Sequence, residues 1–349
     1  MSKPLTRAVA LVAAMALVFG LLAAVFIRPP AANAAMASIQ LASNGAPASI
    51  PGLRSWDAGT GEFWYRSGTA VVATAALAPV ADPFAADLGS ALGGSVQVKS
   101  AGAVAGDVEL ALDTTQTALG REGYRISVGS TIRIVAATEV GLFYGTKTAL
   151  QWATLAGTAK SIPAGSATDV PEFEIRGMGV CACIINVSME TLESVIKQMA
   201  YYKMNELWLE IKVESESLPL SNFWSYYTKE QAAHITAFAK KHNIRVIAEV
   251  NSPGHMGPWI RNYPELQLTR DDGVKEPTRL DISQPVALTT LQKIYDEYMD
   301  AFDTGGYWHM GADEYMFGVP GGVSRFPRLL AKAKEKRSSP WRPSPRPPA

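Results

Sequence analysis

The chain has 349 residues, with 32 basic and 32 acidic side chains and a formal net charge of zero. That balance supplies no basic field for nucleic acid or for an anionic membrane surface. Hydrophobic residues at 48% and charged residues at 18% exclude a disordered polyelectrolyte and provide for a real core.

Residues 1–34 read as a secretory signal peptide. Lys3 and Arg7 form a positive start, an apolar run follows from Ala8 to Ile27, and Ala32-Asn33-Ala34 offers a small-x-small cleavage site. The expected product is secreted, with no membrane contact after cleavage; a retained segment is the alternative, since the run is long enough to span a bilayer. Only Cys181 and Cys183 are present, and two positions apart on a strand they are badly placed to bridge, so buried thiols are expected. Residues 35–52, small and polar with Pro47 and Pro51, read as a linker.

From residue 53 to 165 a small α/β domain is expected. Val71-Val72 and Val96-Gln97-Val98 suggest strands, and Asp82-Pro83 a helix start. Tyr124 to Val128 and Thr131 to Val135 alternate about Gly129-Ser130, which predicts a hairpin with a two-residue turn. A helix should follow from Val140 to Trp152, and Pro163 to Pro171 reads as an inter-domain linker.

Beyond Phe173 strands and helices alternate, the pattern of a parallel sheet covered by helices. Strands are expected at Ile175–Cys183, Glu206–Val213 and Ile244–Val250. Ser188 should cap a helix that buries Leu192, Val195, Ile196 and Met199. Thr228-Lys229-Glu230-Gln231 is a capping box for the next, and Pro285 should open a third. The fourth strand is Gly305-Gly306-Tyr307-Trp308-His309-Met310-Gly311-Ala312-Asp313-Glu314. Its alternation sets Tyr307, His309, Gly311 and Asp313 on one face, and Trp308, Met310 and Ala312 on an apolar face under helices. Four such units make half of a (β/α)₈ barrel, for which about 250 residues are usual. One further helix is expected near 326–336. The Pro- and Arg-rich residues 337–349 read as a disordered tail, from a natural terminus or from a truncated or frame-shifted gene.

Active sites of such barrels lie at the C-terminal ends of the strands. Polar residues gather there: Asp313-Glu314 on the fourth strand, Glu249, Asn251 and His255 at the third, and Glu210 on the second. Adjacent carboxylates are costly unless one is protonated or both meet a positive partner, which suits acid–base work on an uncharged polar substrate. His309 serves either that site or a buried partner. Trp224, Trp259 and Trp308 have the flat faces that stack on ligands, although such residues are more often core.

The run His309-Met310-Gly311-Ala312-Asp313-Glu314 resembles the H-x-G-x-D-E signature of family 20 glycoside hydrolases, the β-N-acetylhexosaminidases. Glu249-Val250-Asn251-Ser252-Pro253-Gly254-His255 looks like that family's E-I-D-x-P-G-H segment, and the run from Gly120 to Thr148 resembles the small domain before its barrel. The resemblance implies a substrate-assisted retaining mechanism, an exception to the two-carboxylate scheme. Carried over, Glu314 is the general acid and base, and Asp313 orients the substrate's acetamide. His255, His309, Glu249, Asn251 and Glu210 are carried as substrate-binding positions. A glycan substrate is implied, without cofactor or metal. Departures are plain: Cys181 and Ile184 replace the Asp and Arg of R-G-x-x-x-D-x-x-R, Trp208-Leu209-Glu210 replaces H-W-H, and Asn251 replaces Asp. The alternatives are a lacto-N-biosidase-like hydrolase with an altered glycone pocket, an inert glycan-binding fragment, and a metallohydrolase built on His255, His309 and Asp313.

Overall fold

The computed structural model describes residues 40–182, 185–223, 226–303 and 306–316. The targeting segment, Cys183, Ile184, Trp224, the expected helix near 326–336 and the tail lie outside those residues.

The first domain is a seven-stranded sheet in the order β1-β7-β5-β6-β4-β2-β3. Its strands are β1 (Asp57–Trp64), β2 (Ala70–Val72), β3 (Gln97–Lys99), β4 (Val108–Leu112), β5 (Tyr124–Val128), β6 (Ile132–Ala136) and β7 (Ser161–Asp169). Two helices pack on it, α1 (Ala78–Leu92) and α2 (Glu139–Ala156). The first starts four residues before the expected Asp82, because Pro79 takes an opening position that needs no amide donor. Pro83 then lies inside the helix on its exposed side. Thr138 caps α2, its hydroxyl accepting from Gly141 N at 3.0 Å. Nearly all of α2 is buried, as expected of a helix covered on every side.

Three expectations fail here for local reasons. The β5–β6 loop has three residues, with Val128 paired to Ile132. The start of β4 fixes it, since Gly106 N donates to the Ser130 carbonyl and Ile132 N to that of Asp107. The supposed inter-domain linker is mostly β7, between β1 and β5. Its Pro163 sits opposite Glu62, where the β1 register slips, so the missing donor breaks no regular ladder. Part of the expected 35–52 linker is docked: Gln151 bonds both N–H and C=O of Ile50, and Trp152 Nε1 donates to the Pro47 carbonyl at 3.1 Å.

The second domain begins with three parallel strands, β8 (Gly177–Ala182), β9 (Glu206–Ile211) and β10 (Arg245–Glu249), in the order β10-β9-β8. A parallel bridge from Glu249 to His309 adds the fourth position. This is part of a (β/α)₈ barrel, and no closed barrel exists among the described residues. Helices α3 (Met189–Tyr201), α4 (Lys229–Lys241) and α5 (Pro285–Ala301) cover the outer face. Their Leu192, Ile196, Met199, Ile235, Ala239, Ile294 and Tyr298 are buried with Leu207, Leu209 and Ile211. Ser188 caps α3, and the Thr228–Gln231 capping box forms as expected. A hairpin not foreseen, β11 (Gln267–Thr269) and β12 (Lys275–Leu280), lies between β10 and α5.

The domains are joined by charged groups at the N-terminal end of the barrel strands. Arg176 Nη2 donates to Glu122 Oε2 at 2.6 Å. Lys203 Nζ donates to Asp169 Oδ2 at 2.9 Å and to the Tyr124 hydroxyl at 2.8 Å. Arg176 therefore works at the end remote from the strand termini that carry Asp313.

Candidate active site

Strand register sets the site. Cys181 pairs with Glu210, Glu210 with Glu249, and Glu249 with His309, so these four share one row across the inner face. Cys181 in that row is exposed, contrary to the expected burial, because β8 is an edge strand among the described residues. Glu249 Oε2 lies 2.9 Å from His309 Nδ1, and the Trp208 ring stacks on the imidazole at 5.0 Å. Burial pushes the Glu249 carboxyl above its usual range, and the charges of Glu210 and Asp313 add to this while His309 opposes it.

Past His309 the chain leaves strand geometry. Gly311, Ala312 and Glu314 all have positive φ, at 65°, 66° and 51°. A Cβ on Gly311 would lie 2.4 Å from Asn251 Oδ1, so only glycine fits the third position of the motif. The turn corrects the expected parity: Met310 is 57% exposed rather than packed under helices. Trp308 does pack inward, its ring edge-on to Tyr295 and Tyr298 at 5.5 and 5.8 Å.

This turn brings the two acids together. His255 Nε2 lies 3.4 Å from Asp313 Oδ2 and 3.4 Å from Glu314 Oε2. A hydrogen bond from Asn251 holds the Asp313 carboxyl below its usual range, and His255 adds to the effect. His255 has positive φ itself, at 50°, and Gly254 before it leaves only 3.0 Å between a would-be Cβ and the Asp313 carbonyl. Asp313 and Glu314 are more than half exposed, open to a ligand at the rim.

Two profiles match the chain: glycosyl hydrolase family 20, domain 2, over residues 46–170, and glycosyl hydrolase family 20, catalytic domain, over residues 173–345. The chain belongs to glycoside hydrolase family 20. Among its relatives, a lacto-N-biosidase from Bifidobacterium bifidum is 38% identical over 277 residues, covering 78% of this chain and 25% of the relative. Beta-hexosaminidase 1 of Arabidopsis thaliana is 27% identical over 60% of this chain and 40% of the relative. A Streptomyces plicatus N-acetyl-beta-hexosaminidase in complex with thio-NAglucal shares the fold, with a TM-score of 0.68 at 23% identity, over 81% of this chain and 63% of that one. The chain thus spans a quarter to two-fifths of the length of these curated relatives.

Against the family 20 pattern, the structure assembles Asp313, Glu314, His255 and Asn251 at one point and the Glu210–Glu249–His309 row beside it. Lys212, also at the end of the second strand, is not part of it. It is fully buried, its Nζ donating to the Val213 carbonyl and Asn222 Oδ1 at 3.0 Å, and burial pushes its ammonium down to about 8. Trp259 is core. Two positioning contacts had no signal in the sequence. The Tyr315 hydroxyl donates to the Leu280 carbonyl at 2.6 Å, and Arg279 Nε to the Tyr315 carbonyl at 2.7 Å. Both pin the residue after Glu314 to β12, which no alternating pattern announces. His255, Asp313 and Glu314 also have the donor types and closeness of a cation site. Three ligands from such a set suit hydrolytic metals in general, but both acids are exposed and the set coincides with the family 20 acid pair.

Proposed function

We propose that this family 20 domain cleaves the β-glycosidic bond of a 2-acetamido sugar with retention, the substrate's own acetamide oxygen attacking C1. The observation that carries the reading is the placement of Asp313 and Glu314 against one imidazole, each 3.4 Å from His255 Nε2. Their roles differ by environment. Asp313, kept ionised by the Asn251 hydrogen bond, accepts from the acetamide N–H and offsets the positive charge that develops on the oxazolinium ring. Glu314 protonates the departing glycosidic oxygen, then removes a proton from the water that opens the ring. Neither step needs a protein nucleophile, which agrees with two acids too close together to flank a sugar from opposite faces.

A finer reading, release of the disaccharide lacto-N-biose rather than a single sugar, is favoured by the 38% identity to a lacto-N-biosidase. Small, uncharged Cys181 supports it, standing on the inner row where the family pattern has Asp. Hydrolysis of p-nitrophenyl N-acetyl-β-glucosaminide and of p-nitrophenyl β-lacto-N-bioside tests both, with Glu314→Gln as control. Turnover of the disaccharide alone supports the finer reading, turnover of the monosaccharide overturns it, and turnover that survives Glu314→Gln overturns the mechanism. Export belongs to the same proposal, and a secreted product beginning at Ala35 is its signature.

A further inference from the structure

The row beside the acid pair has a half-buried member that family resemblance placed among the sugar-binding positions. Only 13% of the Glu249 side chain is exposed, and its carboxylate is engaged with His309 Nδ1 at 2.9 Å. That same nitrogen lies 3.2 Å from Gly311 N, whose N–H points at it. A ring nitrogen has one in-plane position, occupied by a proton or a lone pair. With the proton, the ring donates to Glu249; with the lone pair, it accepts from Gly311. In both forms Nδ1 is used within the protein. His309 is also fixed in plane by Trp208 and along the chain by its own amide, which donates to the Ala248 carbonyl at 3.1 Å. Two residues beyond Gly311 the turn delivers Asp313, and three beyond it Glu314.

We infer that Glu249 and His309 form a positioning pair for the acid turn: one proton shared between Nδ1 and the Glu249 carboxylate fixes the ring against the backbone where Gly311 starts the turn, rather than gripping the sugar. The pair joins the end of β10 to the start of the left-handed turn, so the angle at which Asp313 and Glu314 reach His255 is set from below. Glu210, beside Glu249 in register, adds negative charge that favours a proton staying within the pair. The inference rests on the hydrolase reading for its kinetic consequence, and not for its structural one.

Side-chain geometry supplies the test. An asparagine amide overlays Nδ1 of histidine and a glutamine amide overlays Nε2. His309→Asn should therefore keep the acid turn in place, whereas His309→Gln and Glu249→Ala should release it. The chain has four histidines, so histidine labelled with ¹⁵N gives a readable spectrum, and His234 and His242 on or just after α4 report that the fold is intact. Expected in Glu249→Ala and His309→Gln are displaced His255 ring signals with unmoved His234 and His242. Their kcat should fall about 10²-fold with KM nearly constant, the effect of misplacing a catalytic group by about 1 Å. His309→Asn should retain the His255 signals and most of kcat. The inference is overturned if His309→Gln, not His309→Asn, preserves the His255 signals, or if Glu249→Ala leaves them unmoved. An unaltered chain without hydrolytic activity counts against the hydrolase reading alone, because the His255 signals still decide the positioning role.

Discussion

Asp169 and Asp313 show how differently the two domains use the same side chain. Asp169 closes the joint between domains, with Lys203 Nζ at 2.9 Å and the Tyr124 hydroxyl at 2.6 Å, and only 19% of it is exposed. Asp313 is held by Asn251 and His255 but stays 57% exposed at the barrel rim. The first carboxylate holds a lysine and a tyrosine hydroxyl through one oxygen, so its value lies in adhesion. The second is held ionised and left open, so its value lies in what arrives from outside. Partner chemistry and burial, rather than residue type, separate a clamp from a reactive group.

The contrast can be broken at either end. The largest effect is expected at the rim: Glu314→Gln should lower kcat about 10³-fold, within the range for loss of a general acid, while the urea midpoint hardly moves. The joint should answer in the opposite way. Lys203→Met takes the cation from Asp169 and leaves that carboxylate with the Tyr124 hydroxyl alone among these contacts, costing about 3 kcal/mol in urea unfolding with kcat of the folded fraction kept. A subtler change sharpens the comparison through pH. The Asp313 pKa is depressed in the folded protein, so its ionised form is favoured above the ordinary carboxylate range and lost only as pH falls through the lowered value. Asn251→Ala removes the first cause of that shift. The acid limb of kcat/KM should then move to higher pH while the rate near neutrality is retained, and an unmoved limb would show that Asn251 does not set the titration. The smallest effect belongs to neither end: Thr228→Ala at the α4 capping box should cost about 1 kcal/mol without altering the pH profile.

The alternation of α3, β9, α4 and β10 was legible because each element buries an apolar stripe, and periodicity reports burial directly. β1 and β7 were not, for the converse reason. Along β1 only Phe63 is buried, so no alternation exists to read. β7 carries Pro163 and Gly165, which resemble a loop until their partners are seen. Pro163 faces the slip in β1, and Gly165 makes room for the Trp56 ring, 2.3 Å from where a Cβ would stand. In the site, Asp313, Glu314 and His255 were marked by motif, and all three converge. Glu249 and His309 were carried as sugar-binding positions by family resemblance, which names the residue and not its partner. Pairing between them is a tertiary fact, set by the parallel bridge between β10 and the fourth strand. The Met310 error comes from parity, which presumes a straight strand, whereas Gly311 ends it.

Neighbouring residues on an extended chain look in opposite directions, so an Asp-Glu dipeptide would ordinarily divide its charges between the two sides of a sheet. The left-handed backbone at residues 311, 312 and 314 cancels that divergence. What the chain stores in this short corkscrew is a conversion of adjacency in sequence into convergence in space. Ala312 is its most vulnerable point, because a β-branched residue there would unwind the corkscrew and send the two acids apart without touching either one.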